Sequence, residues 1–298
     1  MIRKDKPGPK RSVDYLGALI LMSGVTMLLV YATEGPSLGW LSIEEMALLL
    51  PGIVLTLVFF VFETQRVEPL VRLDLLGIRN VLVANLVGIV SGIVMFLLFF
   101  AIVYYAELPP PFGLGLGIVA TGLTLAPATL AMLVAGPVAG RAVARYGPRP
   151  LLFVGALSMI TGLSLFIVNR ATTLDLSLDL VFSLVGIVCT IIPIVNMISV
   201  SLPRETIAVG LGINTMLRNL GGAIGPVVAT AIMATYTSPL LQVIAGHSVP
   251  VAQLPNAMAF DIVFGVGLVL TTMVIALSAT AENYTFKSAP KPAPKPGP

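Results

Sequence analysis

Charge is what this chain has least of. Its 298 residues hold 17 Lys or Arg, 14 Asp or Glu and one His, so charged residues make up 10%. Cysteine occurs once, at Cys189 inside an apolar run, which excludes a disulfide framework within one chain. The single His247 lies in a loop far from Cys189, and the pair cannot supply the ligand set of a metal centre. There is no His-Glu-x-x-His, no paired mid-membrane Asp and no Cys–His couple, so nothing suggests an enzyme. No Gly-x-x-x-x-Gly-Lys-Ser/Thr loop is present, so this chain encodes no ATP-driven pump. Neither a metal nor a cofactor is expected.

What fills the space is apolar sequence. Mean hydropathy is +1.00, and 57% of residues are hydrophobic. Apolar stretches fall at 15–32, 46–62, 81–105, 114–138, 150–168, 178–200, 207–235 and 257–279. Most are close to the roughly 20 residues a helix needs to cross a hydrocarbon core of about 30 Å. Unpaired backbone amides are costly in lipid, so these runs are expected as helices. The fold class is therefore an all-α, polytopic membrane bundle of about eight transmembrane helices. The first run follows Arg3, Lys4, Lys6, Lys10 and Arg11, which resembles a secretory signal. It is long for a signal core, lacks a small-x-small cleavage site and precedes seven more spans, so it reads as a span.

The basic residues are distributed with a clear bias. The N-terminal five, Arg66, Arg72 and Arg79 after the second span, Arg141, Arg145 and Arg149 after the fourth, Arg204 after the sixth, and Lys287, Lys291 and Lys295 in the tail fall in alternate gaps. The opposite gaps hold only Arg170. By the positive-inside rule both termini are cytoplasmic, in a protein of the plasma membrane. A net charge of +3 and a pI near 9.1 thus speak of orientation and anionic headgroups, not of nucleic acid. The tail after Ala281 is rich in Pro and Lys and reads as disordered. Its Asn283-Tyr284-Thr285 matches a glycosylation acceptor, but on the cytoplasmic side the match is fortuitous.

Ordered motifs sharpen this reading. Asp14-Tyr15-Leu16-Gly17-Ala18 opens the first span, followed by Glu34-Gly35, Gly39-Trp40 and Glu68-Pro69-Leu70-Val71. Gly136-Pro137-Val138-Ala139-Gly140 leads into Arg145-Tyr146-Gly147-Pro148-Arg149-Pro150. Pro203-Arg204-Glu205 and the segment from Asn214 through Arg218 to Gly225 come next. In this order they resemble the second half of a major facilitator superfamily transporter, above all the fourteen-span drug:proton antiporters.

The resemblance implies a division into a basic tail (1–13), two linking helices and a loop (14–80), a six-helix C-terminal transporter bundle (81–280) and a disordered tail (281–298). It implies proton-coupled multidrug efflux of small or amphipathic molecules. It also implies that the N-terminal bundle is absent, so that transport needs a separately encoded first half or a second copy. A non-transporting membrane subunit remains the alternative. The partners implied are the lipid bilayer and a small-molecule substrate.

Five residues are candidates for the substrate or proton pathway. Arg218 lies about 16 Å into the seventh span, where an Arg is expensive and should face an interior or a watery cavity. It matches an arginine of the family's Asn-x-x-x-Arg-x-x-Gly-Gly-like segment; it either binds an anionic group or pairs structurally with carbonyls. Asn214 shares its helix face and either lines the cavity or ties helices together, and Asn219 lies about 100° round. Glu107, after Tyr104-Tyr105, is either a lure at the non-cytoplasmic mouth or a solvated helix end. Phe96, Phe99, Phe100 and Tyr104 either meet an apolar substrate or pack. Asp261 is either intramembrane or a helix-start charge suited to the dipole. Gly140, Arg145, Gly147 and Arg149 match a cytoplasmic loop motif of the family, with Ala144 in place of its acid. Gly88/Gly92, Gly136/Gly140 and Gly221/Gly225 are spaced to permit close helix crossings.

Overall fold

A computed structural model describes residues 14–65, 73–244 and 247–284. The basic N-terminal tail, Glu68-Pro69-Leu70-Val71 and the tail beyond Tyr284 lie outside the described residues. The chain divides into two compact units, residues 1–73 and 74–298. Eight of the helices are long and apolar enough to cross a membrane.

The first unit is a helical hairpin of α1 (Tyr15–Leu38) and α2 (Ile43–Thr64). Asp14 caps α1 by accepting from Gly17 N at 2.9 Å, and Ser42 caps α2 through Glu45 N at 3.2 Å. The helices meet at small residues: a Cβ on Gly24 would lie 2.8 Å from Thr56 Oγ1. Tyr31 and Trp40 close the connection, ring to ring at 5.5 Å.

The second unit holds a short turn of helix, α3 (Leu73–Leu76), then α4 (Arg79–Glu107), α5 (Ile118–Tyr146), α6 (Pro148–Val168), α7 (Thr173–Ser201), α8 (Ile207–Thr235) and α9 (Ala257–Thr280). α4 is central and packs against α7, α8 and α9, while α6 bridges α7 and α9. More than half of the apolar window of α4 (56%) and of α7 (61%) is buried, against 17% for α5. α5 therefore sits at the rim of the bundle.

Lipid is as apolar as leucine, so helices gain little by burying apolar side chains against each other; close packing must hold them. Glycine makes that possible. A Cβ on Gly225 would lie 2.5 Å from the Ile93 carbonyl oxygen and 2.6 Å from Leu97 N, and Gly92 and Gly221 likewise press on the carbonyls of Arg218 and Ile89. A second seam joins α6 to α7, where a Cβ on Gly186 would lie 2.6 Å from the Gly155 carbonyl. Gly136 and Gly140 behave differently: nothing lies within 4 Å of either, so this pair makes no crossing. The spacing alone does not distinguish a packed stripe from an open one.

Several boundaries depart from the sequence expectation. α5 runs on through Pro137 to Tyr146, so Gly140 and Arg145 are helical and not in a loop. The turn itself is Gly147, at φ +87°, a conformation that L side chains rarely adopt. Arg149 then falls in the first turn of α6. α7 starts at Thr173 rather than 178, because Thr172 and Asp175 form a reciprocal capping box. The gap holding His247 is not a plain loop: β1 (Thr237–Ile244) pairs antiparallel with β2 (His247–Pro255), from Thr237↔Pro255 to Ile244↔His247, with a bulge at Leu240/Leu241. A two-stranded ribbon leaves outward edges on which Pro239 and Pro250 are tolerated.

The segment after α9, expected to be disordered from residue 281, is engaged as far as Tyr284. Asn80 accepts from Glu282 N at 2.9 Å and donates to the Glu282 carbonyl at 3.3 Å. Asn283 donates to the Tyr146 carbonyl and accepts from Arg149 N, both at 3.3 Å. The Tyr284 hydroxyl donates to Asn196 Oδ1 at 3.2 Å, and burial pushes that phenol upward, so it stays a donor. Glu282, Asn283 and Tyr284 thereby tie together one end of α4, α7 and the α5–α6 turn.

The glycine contacts predict opposite outcomes for one substitution. Gly225→Ala should destabilise the bundle by about 1–3 kcal/mol through overpacking. Gly136→Ala, at an open position, should be neutral or gain up to about 1 kcal/mol of helix propensity. Thermal unfolding of the two variants in the same detergent checks the contrast.

Candidate functional site

The sequence candidates separate onto distinct parts of the second unit. Asn214 is buried on α8, 2% exposed, and its Nδ2 donates to the Ala84 carbonyl at 3.1 Å and to Asn85 Oδ1 at 3.2 Å. Asn85 in turn donates to the Val81 carbonyl at 2.9 Å. Asn214 is thus a tie between α8 and α4, set against Gly88.

Arg218, one turn along the same helix, is half-buried. Among the described residues its guanidinium has no hydrogen-bond or ion-pair partner. Its backbone carbonyl presses on Gly92, which holds this turn of α8 close to α4. Asn219 is exposed and lines an open groove of about 700 Å³ with Leu211, Gly212, Thr215, Met216 and Leu220. This face of α8 carries unpartnered polar groups in the middle of a helix long enough to cross a bilayer.

Glu107 ends α4 and is exposed, as a solvated helix end would be. Phe96 lies against Gly222 of α8, and Phe100 stacks on Tyr104 at 5.9 Å. Phe100 and Tyr104 flank a smaller cavity of about 220 Å³ between α4, α8 and the β1–β2 ribbon, with Thr230, Met233 and Gln253.

Asp261 is not the helix-start charge that its position suggested. Asn256 caps α9 by accepting from Ala259 N at 3.1 Å, and Asp261 lies more than a turn inside. It accepts from Arg170 at 2.6 Å. The same guanidinium donates to the carbonyls of Phe166 at 2.8 Å and Ala257 at 3.0 Å, and lies 5.5 Å over the Tyr105 ring. Tyr105 donates to the Arg170 carbonyl at 3.2 Å and packs edge-on against Phe260. Arg170 therefore clamps the ends of α4, α6 and α9. The sequence offered one signal for it, the only basic residue in its set of gaps, but not its partner 91 positions away.

One group escaped the sequence reading. Asp179 on α7 is 4% exposed, and its Oδ2 is buried without a hydrogen-bond partner. It stood at the edge of the span expected from 178, and lies more than a turn inside α7 because the capping box starts that helix at Thr173.

Residues 11–226 match the sequence model of the Major Facilitator Superfamily. This chain belongs to that superfamily. Among its relatives in the superfamily is a multidrug resistance protein B homolog of Mycobacterium tuberculosis (strain CDC 1551 / Oshkosh), 24% identical over 96% of this chain and 59% of the relative. The multidrug resistance protein Stp of the same organism is 26% identical over 80% of this chain and 44% of its own length. The tetracenomycin C resistance and export protein of Streptomyces glaucescens is 28% identical over 76% and 41%. The chain thus spans about half the length of these relatives. As a member of the superfamily with eight apolar helices, it is an integral membrane protein of a transporter family.

Three substitutions separate scaffold from surface in this superfamily bundle. Asn214→Ala should cost about 0.6–1.7 kcal/mol, the range for interhelical hydrogen bonds in membranes. Asp261→Asn should cost about 1 kcal/mol or less, because its carboxylate is 43% exposed, and Arg170→Ala more, since it loses two carbonyls and a ring as well. Unfolding midpoints of the three variants should rank accordingly.

Proposed function

We propose that this chain forms the two linking helices and the C-terminal six-helix bundle of a proton-coupled exporter of small or amphipathic molecules, of the fourteen-span drug:proton antiporter type. The observation that carries the reading is on α8: Arg218 is half-buried with no partner among the described residues, and the next residue, Asn219, lines the open groove with Thr215. A cation in the middle of a membrane helix is tolerated where it faces water, substrate or another protein surface. Superfamily transporters of this kind carry substrate near the bilayer midplane between two bundles, and one bundle offers one wall of such a path. The multidrug and export relatives, of which this chain spans about half, support efflux along a path whose second wall lies outside these residues.

In this reading Arg218 and Asn219 face the path, while Glu107 marks its outer rim. Both termini lie in the cytoplasm. The basic turn of Arg145, Gly147 and Arg149 faces the same side as the termini, with Gly140 a turn and a half up α5.

Reconstitution tests the proposal. The chain is placed in proteoliposomes under a pH gradient, alone and together with a six-helix first half taken from a multidrug relative. The expected result is dye efflux only in the paired sample, reduced about tenfold or more, about 1.4 kcal/mol, by Arg218→Ala without loss of thermal stability. No efflux in either sample would favour a non-transporting subunit. Impermeant labelling of tags on Met1 and Pro298 from opposite faces of intact cells would overturn the orientation.

A further inference from the structure

The second unit buries four side chains that have an oxygen with no hydrogen-bond partner among the described residues: Ser91, Thr121, Asp179 and Ser183. Two of them are on α7, and the others are on α4 and α5, both packed against it. Asp179 and Ser183 are spaced i, i+4 and share a helix face. Ser183 is 1% exposed. Gly162 of α6 is pressed onto the same stretch: a Cβ there would lie 2.6 Å from the Asp179 carbonyl and 2.8 Å from Ser183 N, and would collide with Ser183 Oγ. The carboxyl lies about 9 Å along α7 from its start, inside the span.

Among the described residues, no counter-charge stands opposite it. On its own helix Asp175 is occupied by the Thr172 cap. α6 carries Arg149 in its first turn, and Arg170, beyond its last, is held by Asp261. α5 carries Arg141, Arg145 and Tyr146 only at its far end. α4 carries Arg79 at one end and Tyr104, Tyr105 and Glu107 at the other, and α8 carries Arg218 alone. A buried ionised carboxylate without a partner is among the costliest arrangements a membrane interior can hold.

We infer that Asp179, with Ser183 beside it, is a proton-binding site of the bundle, occupied in the arrangement seen here. Binding a proton forms an O–H bond on the carboxyl, which removes its charge and supplies a donor for a neighbouring hydroxyl such as Ser183. Release breaks that bond and passes the proton to water when the α6–α7 seam admits it. The carboxyl then carries a negative charge, and no electron changes hands. This deepens the proton-coupled reading above, but its test requires no flux.

The full chain is placed in lipid nanodiscs, and its infrared carboxyl bands are followed from acidic to alkaline pH. The expected result is a protonated-carboxyl C=O band at neutral pH that disappears in Asp179→Asn and is retained in Asp179→Glu. Ser183→Ala should shift its frequency, which a purely structural serine would not do. Wild-type and Asp179→Asn spectra that superimpose at every pH would overturn the site. So would a band abolished by adding sodium chloride at constant pH, which would make this a metal-cation site. Should Asp179→Asn fail to fold, the wild-type titration with Asp179→Glu and Ser183→Ala decides: the inference falls if the protonated band is absent from wild type or is unmoved in both variants.

Discussion

Backbone-to-backbone contact between helices is the constraint on which the rest of the bundle depends. In lipid, helices cannot rely on water to drive them together, so the distance of approach decides how much packing they gain. At the α4–α8 crossing, Gly92, Gly221 and Gly225 let carbonyls sit where a side chain would otherwise stand. The polar tie from Asn214 to Asn85 and Ala84 lies in the same interface and is short because the glycines make it so. The Gly155–Gly186 seam does the same for α6 and α7. It also brings Gly162 against the stretch that buries Asp179.

The two ends of the second unit are closed by different chemistry. At one end a charged clamp centres on Arg170, which satisfies Asp261, two carbonyls and an aromatic face. At the other end the closure is uncharged: Asn80, Asn283 and Tyr284 hold backbone groups and Asn196. The Gly147 turn takes part, because any Cβ there would meet Asn283. Arg145 and Arg149, whose guanidiniums lie near the Tyr146 and Phe153 rings, are left to act outward. With both ends tied, the polar groups left without a partner among the described residues include Arg218 and Asn219 on α8 and the enclosed pair on α7.

The sequence reading succeeded where a segment is uniform and failed where a few specific atoms rule. The seventh span was expected at 207–235, and α8 covers Ile207–Thr235. The fifth and eighth spans were as close, because long apolar runs with polar flanks leave little choice. At 173–179 the two aspartates obscured the start of α7, since a hydropathy pattern does not register that Asp175 is spent on a cap. The fourth span was expected to end at 138, but α5 runs on past Gly136-Pro137, a pair that a membrane helix tolerates and that here borders a groove of about 620 Å³ shared with α7. Asn283 read as part of a featureless tail, because each of its partners is more than 130 positions away.

Hydrophobic content and charge placement are properties of the chain as written, and in a bilayer they leave little alternative to about eight helices in a bundle. They also bring forward Arg218, since a cation inside an apolar run is visible without coordinates. Which polar residues are spent on structure is another matter. Asn214 and Arg218 share a helical face and look alike on paper, yet one is consumed by α4 and the other remains available. Asp261 found a basic partner and Asp179 did not. Such outcomes depend on contacts between residues distant in sequence, set by how close glycine lets two helices come, and no local pattern encodes that distance.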